Sequence, residues 1–480
     1  MTGLALVVAA LVCWTCTNRP AVRAEVAAPA EAASGGESGA EPVADGTLAE
    51  EAGLETPANE DLDEPAIDEG IPGLRIAIRD PGHHALDHFH DSLRRTQAHE
   101  ATTRIAFFGA SHVAADFFTG YVREQLQTRF GDGGHGFILP AQPWRSYRHL
   151  GIQLESSWRL WDGARVRQGM TDIGSYGYAG VAVESNRRGA WGAIETAASG
   201  SVGRTAGIFE LYYLSQPGGG DLDLLIDGRR AERITTAADA PTASYARFER
   251  EDGRHRLEVR LRGNGPVRLF GLVVERAEPG VVVDTLGING ARARNQLLWE
   301  DATFREHLRR RAPDLVVLAY GTNEAGDDDV PIAAYEERLR QVVGRIRETL
   351  PESSCVLIGP SDRPLRDAAA GVVEDRPRTT QINDVQRRVA AELGCGFFDV
   401  LRFMGGPLSM VEWVEAGYGA PDHVHFTRTG YLRMGDVLFG ALVRGYGDLP
   451  EPVSDPTATA NGTAETAAEE LAAPVGSDGE

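Results

Sequence analysis

Five short, largely apolar runs constrain what this chain can fold into more than any other feature of its sequence. They are Arg104–Phe108, Val281–Leu286, Leu315–Tyr320, Cys355–Ile358 and Phe397–Val400. Runs that are apolar at nearly every position must be covered on both faces. Segments with helical patterning lie around them, near 301–311, 332–350, 378–394 and 429–444, with Pro331 placed to open the second. Strand and helix in alternation predict an α/β fold built on a doubly wound, flavodoxin-like parallel sheet. The first run ends in Gly109–Ala110–Ser111–His112, and a helical pattern follows from Val113 to Phe130.

Between the first run and the second the periodicity changes. Leu222, Leu224 and Ile226 alternate with other residues and end in Asp227–Gly228. Leu257, Val259 and Leu261 alternate with Glu258, Arg260 and Arg262, and Gly263–Asn264–Gly265 follows. Period-two alternation closed by Asp-Gly and Asn-Gly turns predicts antiparallel hairpins. Residues 150–280 are therefore expected to be an all-β unit, a β-sandwich insert that splits the α/β domain into 73–149 and 281–448.

In a parallel sheet of this kind the site lies where the strands end at their C-terminal edge. Four segments reach that edge: Gly109–Ala110–Ser111–His112, Gly287–Ile288–Asn289–Gly290–Ala291, Gly321–Thr322–Asn323–Glu324, and Asp422–His423–Val424–His425 before the last helix. Each has an ordinary structural reading, since Ser111 can cap a helix and Gly290 or Asn323 can make a turn. Together they meet the needs of acyl transfer. Ser111 supplies a nucleophile, His425 a base, and Asp422, three residues before it, an orienting carboxylate. The backbone N–H groups of Ser111 and Gly290 and the side-chain amide of Asn323 supply donors for an oxyanion hole.

This set, in this order, resembles the SGNH (GDSL-type) hydrolase family over roughly 100–140 and 281–445. The resemblance implies a serine hydrolase of ester bonds with Ser111, His425 and Asp422 as triad, Gly290 and Asn323 in the oxyanion hole, and no metal or organic cofactor. The family usually carries Asp where Ala110 stands, and that Asp is not the triad acid. Ser111 and Gly290 fall 179 residues apart, with the β unit between them. Exported SGNH enzymes with a β-sandwich at this place resemble the peptidoglycan O-acetylesterases, whose insert is similar to a carbohydrate-binding module. The expected substrate is thus an acetylated glycan, peptidoglycan or another polysaccharide. Trp158, Trp161, Tyr176, Tyr178 and Trp191 are candidates either for stacking on sugars or for the sandwich core, and Arg145 and Arg148 for meeting an anionic glycan. The alternatives are a lipase, thioesterase or acyltransferase with the same triad, and a non-catalytic glycan-binding protein on the same scaffold.

The remaining features bear on location. The apolar run Gly3–Cys13 followed by Val22–Arg23–Ala24 reads as a signal peptide over 1–24, and the leader offers a point of surface attachment. The formal net charge is −22, yet residues 25–72 and 449–480 carry acids and no base. These segments are expected to be a disordered acidic linker and tail. The bulk charge argues against nucleic acid as a partner, while the body at 73–448, with 49 acids and 46 bases, is close to neutral. All 48 bases are Arg, which excludes lysine chemistry. In an exported chain Cys355 and Cys395 can pair; otherwise they are two buried thiols. Five histidines at 83, 84, 88, 90 and 99 lack a matching carboxylate motif, so a solvated helical face is expected there.

Overall fold

A computed structural model describes residues 66–67 and 70–446, apart from 140, 145–146, 167–168 and 368–371. The expected signal peptide, most of the acidic linker, the acidic tail and Arg145 lie outside the described residues.

Five parallel strands form the central sheet: β1 (Thr103–Gly109), β2 (Val281–Gly287), β3 (Leu315–Ala319), β4 (Ser354–Ile358) and β5 (Gly396–Phe398), in the order β2-β1-β3-β4-β5. The period of two along each strand sends its side chains to two separate cores. Ile105, Phe107, Leu315, Val317, Val356 and Ile358 face helices Asp87–Gln97, Phe117–Phe130 and Arg428–Leu442. Ala106, Phe108, Val316, Leu318 and Leu357 face helices Asp301–Arg311, Ile332–Thr349 and Pro377–Glu392. Both faces are covered, which is why these runs lack polar alternation.

Residues 134–275 supply two antiparallel sheets. One pairs 229–235, 221–226, 256–261, 191–195 and 153–156 in that order. The other runs through 242–253, 206–215, 267–275, 181–185 and 162–165, and strand Gly134–Ile138 adds to its 267–275 strand. The sheet thus takes in residues upstream of 150.

A buried ionic cluster joins these sheets to the parallel one. Arg311, at the end of its helix, donates to both oxygens of Asp284 on β2 at 2.9 Å and to Glu275 of the insert at 2.7 Å. Arg104 on β1 reaches Glu275 at 2.8 Å. Tyr178 Oη–H and the Phe137 N–H both donate to Asp284. Burial pushes the Glu275 carboxyl upward, but the two guanidiniums outweigh it and hold it at about 2. Removing one member would strand a charge, at a cost of about 3–5 kcal/mol.

Several expectations need correction. The helical pattern from Val113 to Phe130 is two helices, Ser111–Ala114 and Phe117–Phe130, broken at Asp116 with φ +52°. Asp116 is fully buried and accepts from Thr119, Arg123, the Leu150 N–H and Thr285, so its side chain, not helical propensity, fixes the break. Among the five histidines, His84 pairs with Asp87 and His88 with Asp314, but His90 is buried and meets the Leu442 carbonyl. Trp161, Tyr176 and Tyr178 fill the core; Trp191 is half-buried and Trp158 exposed. Cys355 on β4 and Cys395 beside β5 form a disulfide between neighbouring strands.

Candidate active site

Strand register brings the candidate residues together. Gly109 pairs with both Gly287 and Ala319, so β1, β2 and β3 end level with one another. Ser111 lies two residues beyond the end of β1, Gly290 three beyond β2 and Asn323 four beyond β3. The short helix Ser111–Ala114 rests directly on the end of β2. A Cβ on Gly287 would stand 2.1 Å from the Ala114 nitrogen, so only glycine allows this approach.

Asp422 and His425 come from the loop between helix Ser409–Glu415 and helix Arg428–Leu442. The Asp422 carboxylate accepts from the backbone N–H groups of Val424 and His425, both at 2.9 Å, through one oxygen. Its other oxygen lies 2.7 Å from His425 Nδ1. A carboxylate only accepts, so Nδ1 carries the proton and Nε2 is left as an acceptor. His425 Nε2 sits 2.8 Å from Ser111 Oγ, and the serine hydroxyl donates to it. Burial pushes the Asp422 carboxyl upward; the hydrogen bonds from the His425 ring and the two N–H groups outweigh it and set it at about 2. Asp422 therefore stays ionised and fixes the tautomer that the serine needs.

The loops beyond β2 and β3 are tied to one another. Gly290 has φ +75° in a turn closed by Ala291 N–H to the Ile288 carbonyl at 3.0 Å. Asn323 Nδ2 donates to the Ala291 carbonyl at 2.9 Å, which leaves its second N–H for another acceptor. Buried Glu324 accepts from the Ala293 and Gly321 N–H groups at 2.7 and 3.0 Å. Asp327 accepts from Arg292 and Arg294 of the opposite loop. Sequence reasoning did not single out Glu324, Asp327, Arg292 or Arg294.

It also missed His112, although the residue follows the serine directly. The half-buried His112 ring packs between His425, Phe426 and Tyr431, with its centroid 5.5 Å from that of His425. Its Nδ1 lies 2.9 Å from Tyr431 Oη, and its Nε2 lies 3.3 Å from Ser361 Oγ, which is 3.2 Å from Thr322 Oγ1. Burial, reinforced by the neighbouring His425, lowers the His112 pKa to about 3. A neutral ring accepts at one nitrogen and donates at the other, so the chain of bonds runs from Tyr431 through His112 and Ser361 to Thr322. It connects the helix that follows the loop of the base to the residue beside Asn323. Arg148 lies over the Phe117 ring, 5.1 Å from its centroid.

Residues 253–433 match the model of the GDSL-like Lipase/Acylhydrolase family. That stretch contains Gly290, Asn323, Asp422 and His425; Ser111 lies upstream, on the other side of the insert. In three dimensions the chain is similar to a peptidoglycan O-acetylesterase, at 26% sequence identity and a TM-score of 0.64, covering 77% of this chain and 99% of that one. It also matches a family two carbohydrate esterase from Clostridium thermocellum, an active-site mutant, at 12% identity and a TM-score of 0.26, covering 57% and 95% of the two chains. A family two carbohydrate esterase from Cellvibrio japonicus matches at 13% identity and a TM-score of 0.25, covering 61% and 97%. No curated protein matches the chain.

Proposed function

This chain is an SGNH-type (GDSL-like) carboxylic ester hydrolase, and from that premise we propose that it is an exported serine esterase that removes O-acetyl groups from a cell-wall or extracellular glycan. The observation that carries the reading is the unbroken line Ser111 Oγ, His425 Nε2, His425 Nδ1 and Asp422, with contacts of 2.8 and 2.7 Å, in a chain similar to a peptidoglycan O-acetylesterase over most of its length.

In the proposed reaction Ser111 Oγ attacks the acetyl carbonyl carbon as its proton passes to His425 Nε2. The Asp422 carboxylate stabilises the imidazolium that forms. The oxyanion takes the N–H groups of Ser111 and Gly290 and the second N–H of the Asn323 amide. Collapse breaks the bond to the sugar oxygen, which receives the proton from His425, and leaves an acetyl ester on Ser111. Water, deprotonated by His425, then attacks that ester and releases acetate and free Ser111. The arrangement asks for no metal.

Export is supported by the apolar run and cleavage pattern at the start of the sequence and by the Cys355–Cys395 disulfide, a bond that persists in oxidising compartments. The test is acetate release from O-acetylated peptidoglycan and from O-acetylated xylan by the wild type and by Ser111→Ala. The reading predicts release from at least one of them by the wild type and loss in the variant. Release by neither, or equal release by the variant, overturns it.

A further inference from the structure

The loops that carry Gly290 and Asn323 form one wall of a cleft of about 780 Å³. The opposite wall comes from the insert, at Arg165, Val166, Gly169, Met170 and Thr171. Backbone bonds between Gly174 and the Leu298–Glu300 segment hold the two walls together. Its size is that of a site for one or two sugar rings.

The chemistry of the lining is one-sided. Arg165, Arg292, Arg294 and Arg338 reach into it, and no Asp or Glu is among the described residues that line it. The body of the protein carries nearly equal numbers of acids and bases, so four guanidiniums at one cleft are a local concentration and not a general surplus. Asp327, behind the wall, answers part of that charge, and Asp329 acts on Arg292 at longer range. The four arginines are not equivalent. Arg292 gives Nε and Nη2 to Asp327 and Nη1 to the Gly290 carbonyl, so it braces the loop. Arg294 gives only Nη1 to Asp327. Arg338 has no ion-pair partner among the described residues, and both it and Arg294 are half-buried. A half-buried guanidinium with unused planar donors is suited to two parallel bonds to a carboxylate.

We propose that this cleft is a carboxylate-binding glycan subsite, in which Arg294 and Arg338 receive an acidic group carried next to the acetylated sugar. The inference rests on the glycan-esterase reading and narrows it to acidic glycans. Because Gly290 and Asn323 line the same wall, the carboxylate sits within one or two sugar units of the ester. Two sources share this chemistry: the carboxylates of a peptidoglycan stem and those of a uronic acid.

The test compares four substrates: 4-nitrophenyl acetate, neutral O-acetylated xylo-oligosaccharides, O-acetylated peptidoglycan fragments and O-acetylated oligouronides. Arg338→Gln and Arg338→Glu, at a side chain that ties neither loop, are set against the wild type and Arg148→Gln. The subsite predicts at least a tenfold fall in kcat/KM on one acidic glycan, carried mainly by KM, with the aryl acetate and the neutral glycan within twofold. It also predicts that salt at about 0.5 M weakens wild-type activity on that glycan alone, through screening. The glycan affected identifies the source of the carboxylate. Equal losses on neutral and acidic glycans, or no loss on either acidic one, overturn the subsite while leaving deacetylation intact. A wild type that hydrolyses the aryl acetate and no glycan overturns the glycan reading and the subsite together.

Discussion

Replacing Gly287 with Ala tests whether the position of the nucleophile is set by the end of β2. The added Cβ would lie 2.1 Å from the Ala114 nitrogen, 2.5 Å from its Cα and 2.6 Å from the Val113 carbonyl carbon. Ordinary contact begins near 3.4 Å, so the short helix must retreat by about 1.3 Å. All three obstacles are backbone atoms, and none can rotate away as a side chain would. Ser111 opens that helix, and its hydroxyl depends on a 2.8 Å contact with His425. A misplacement of about 1 Å costs about a hundredfold in rate, whereas overpacking costs about 1–3 kcal/mol of stability. Gly287→Ala is therefore expected to fold, with a lowered melting temperature, and to lose about two orders of magnitude in kcat on 4-nitrophenyl acetate. Gly344→Ala is the matched control, because nothing lies within 4 Å of its Cβ position. Full activity in Gly287→Ala would refute the argument that this contact positions Ser111.

Four further outcomes follow from the same structure. Replacing Cys355 and Cys395 by Ser opens a link across 40 residues and is expected to lower unfolding free energy by about 4 kcal/mol, read by urea denaturation; an unchanged midpoint would contradict it. His112→Phe leaves Ser361 without its ring partner in a buried site, costs about 1–3 kcal/mol, and lowers kcat more than it alters KM, since the ring packs on His425. Because the His112 pKa is lowered to about 3, His112 should add no inflection to the wild-type kcat/KM profile between pH 5 and 8; an inflection there that His112→Phe removes would contradict it. Stability should also fall with acidity: burial lowers the pKa of His112 and His307 to about 3, of His135 to about 4 and of His149 well below its ordinary value. An unfolded histidine takes its proton near 6.5, so below that pH the unfolded state binds more protons, at up to about 1.4 kcal/mol per pH unit for each histidine. Asp116 and Glu275, held at about 2, add a second loss below about pH 4, and a flat urea midpoint from pH 7 to 5 would contradict the first.

The parts of this protein that are legible in its sequence are those whose signal is local. Val281–Leu286 and Leu315–Tyr320 announce strands covered on both faces, and the three-residue spacing of Asp422 and His425 lets one turn of chain join them. What escapes is set by partners distant in sequence. Val113 to Phe130 keeps a helical pattern across Asp116, and the break depends on Leu150 and Thr285. Gly134–Ile138 is assigned by its place in the sequence to the α/β part at 73–149, and becomes a strand of the insert's sheet by pairing with residues 272–275. The aromatics of the insert carry no mark of which way they face, so Tyr178 is known as a core residue only from its full burial and its bond to Asp284 in the structure. His112 is the sharpest case. Its neighbour in sequence is the nucleophile, but its role comes from Ser361 and Tyr431, hundreds of residues away.

The claim on which the rest depends is that His425, oriented by Asp422, makes Ser111 a nucleophile. Peptide mass spectrometry after treatment with a fluorophosphonate measures this directly. The account predicts a single stoichiometric adduct on Ser111 in the wild type, and none in His425→Ala under the same conditions. An adduct on another residue, or an unlabelled Ser111 in a preparation that hydrolyses acetyl esters, would contradict it.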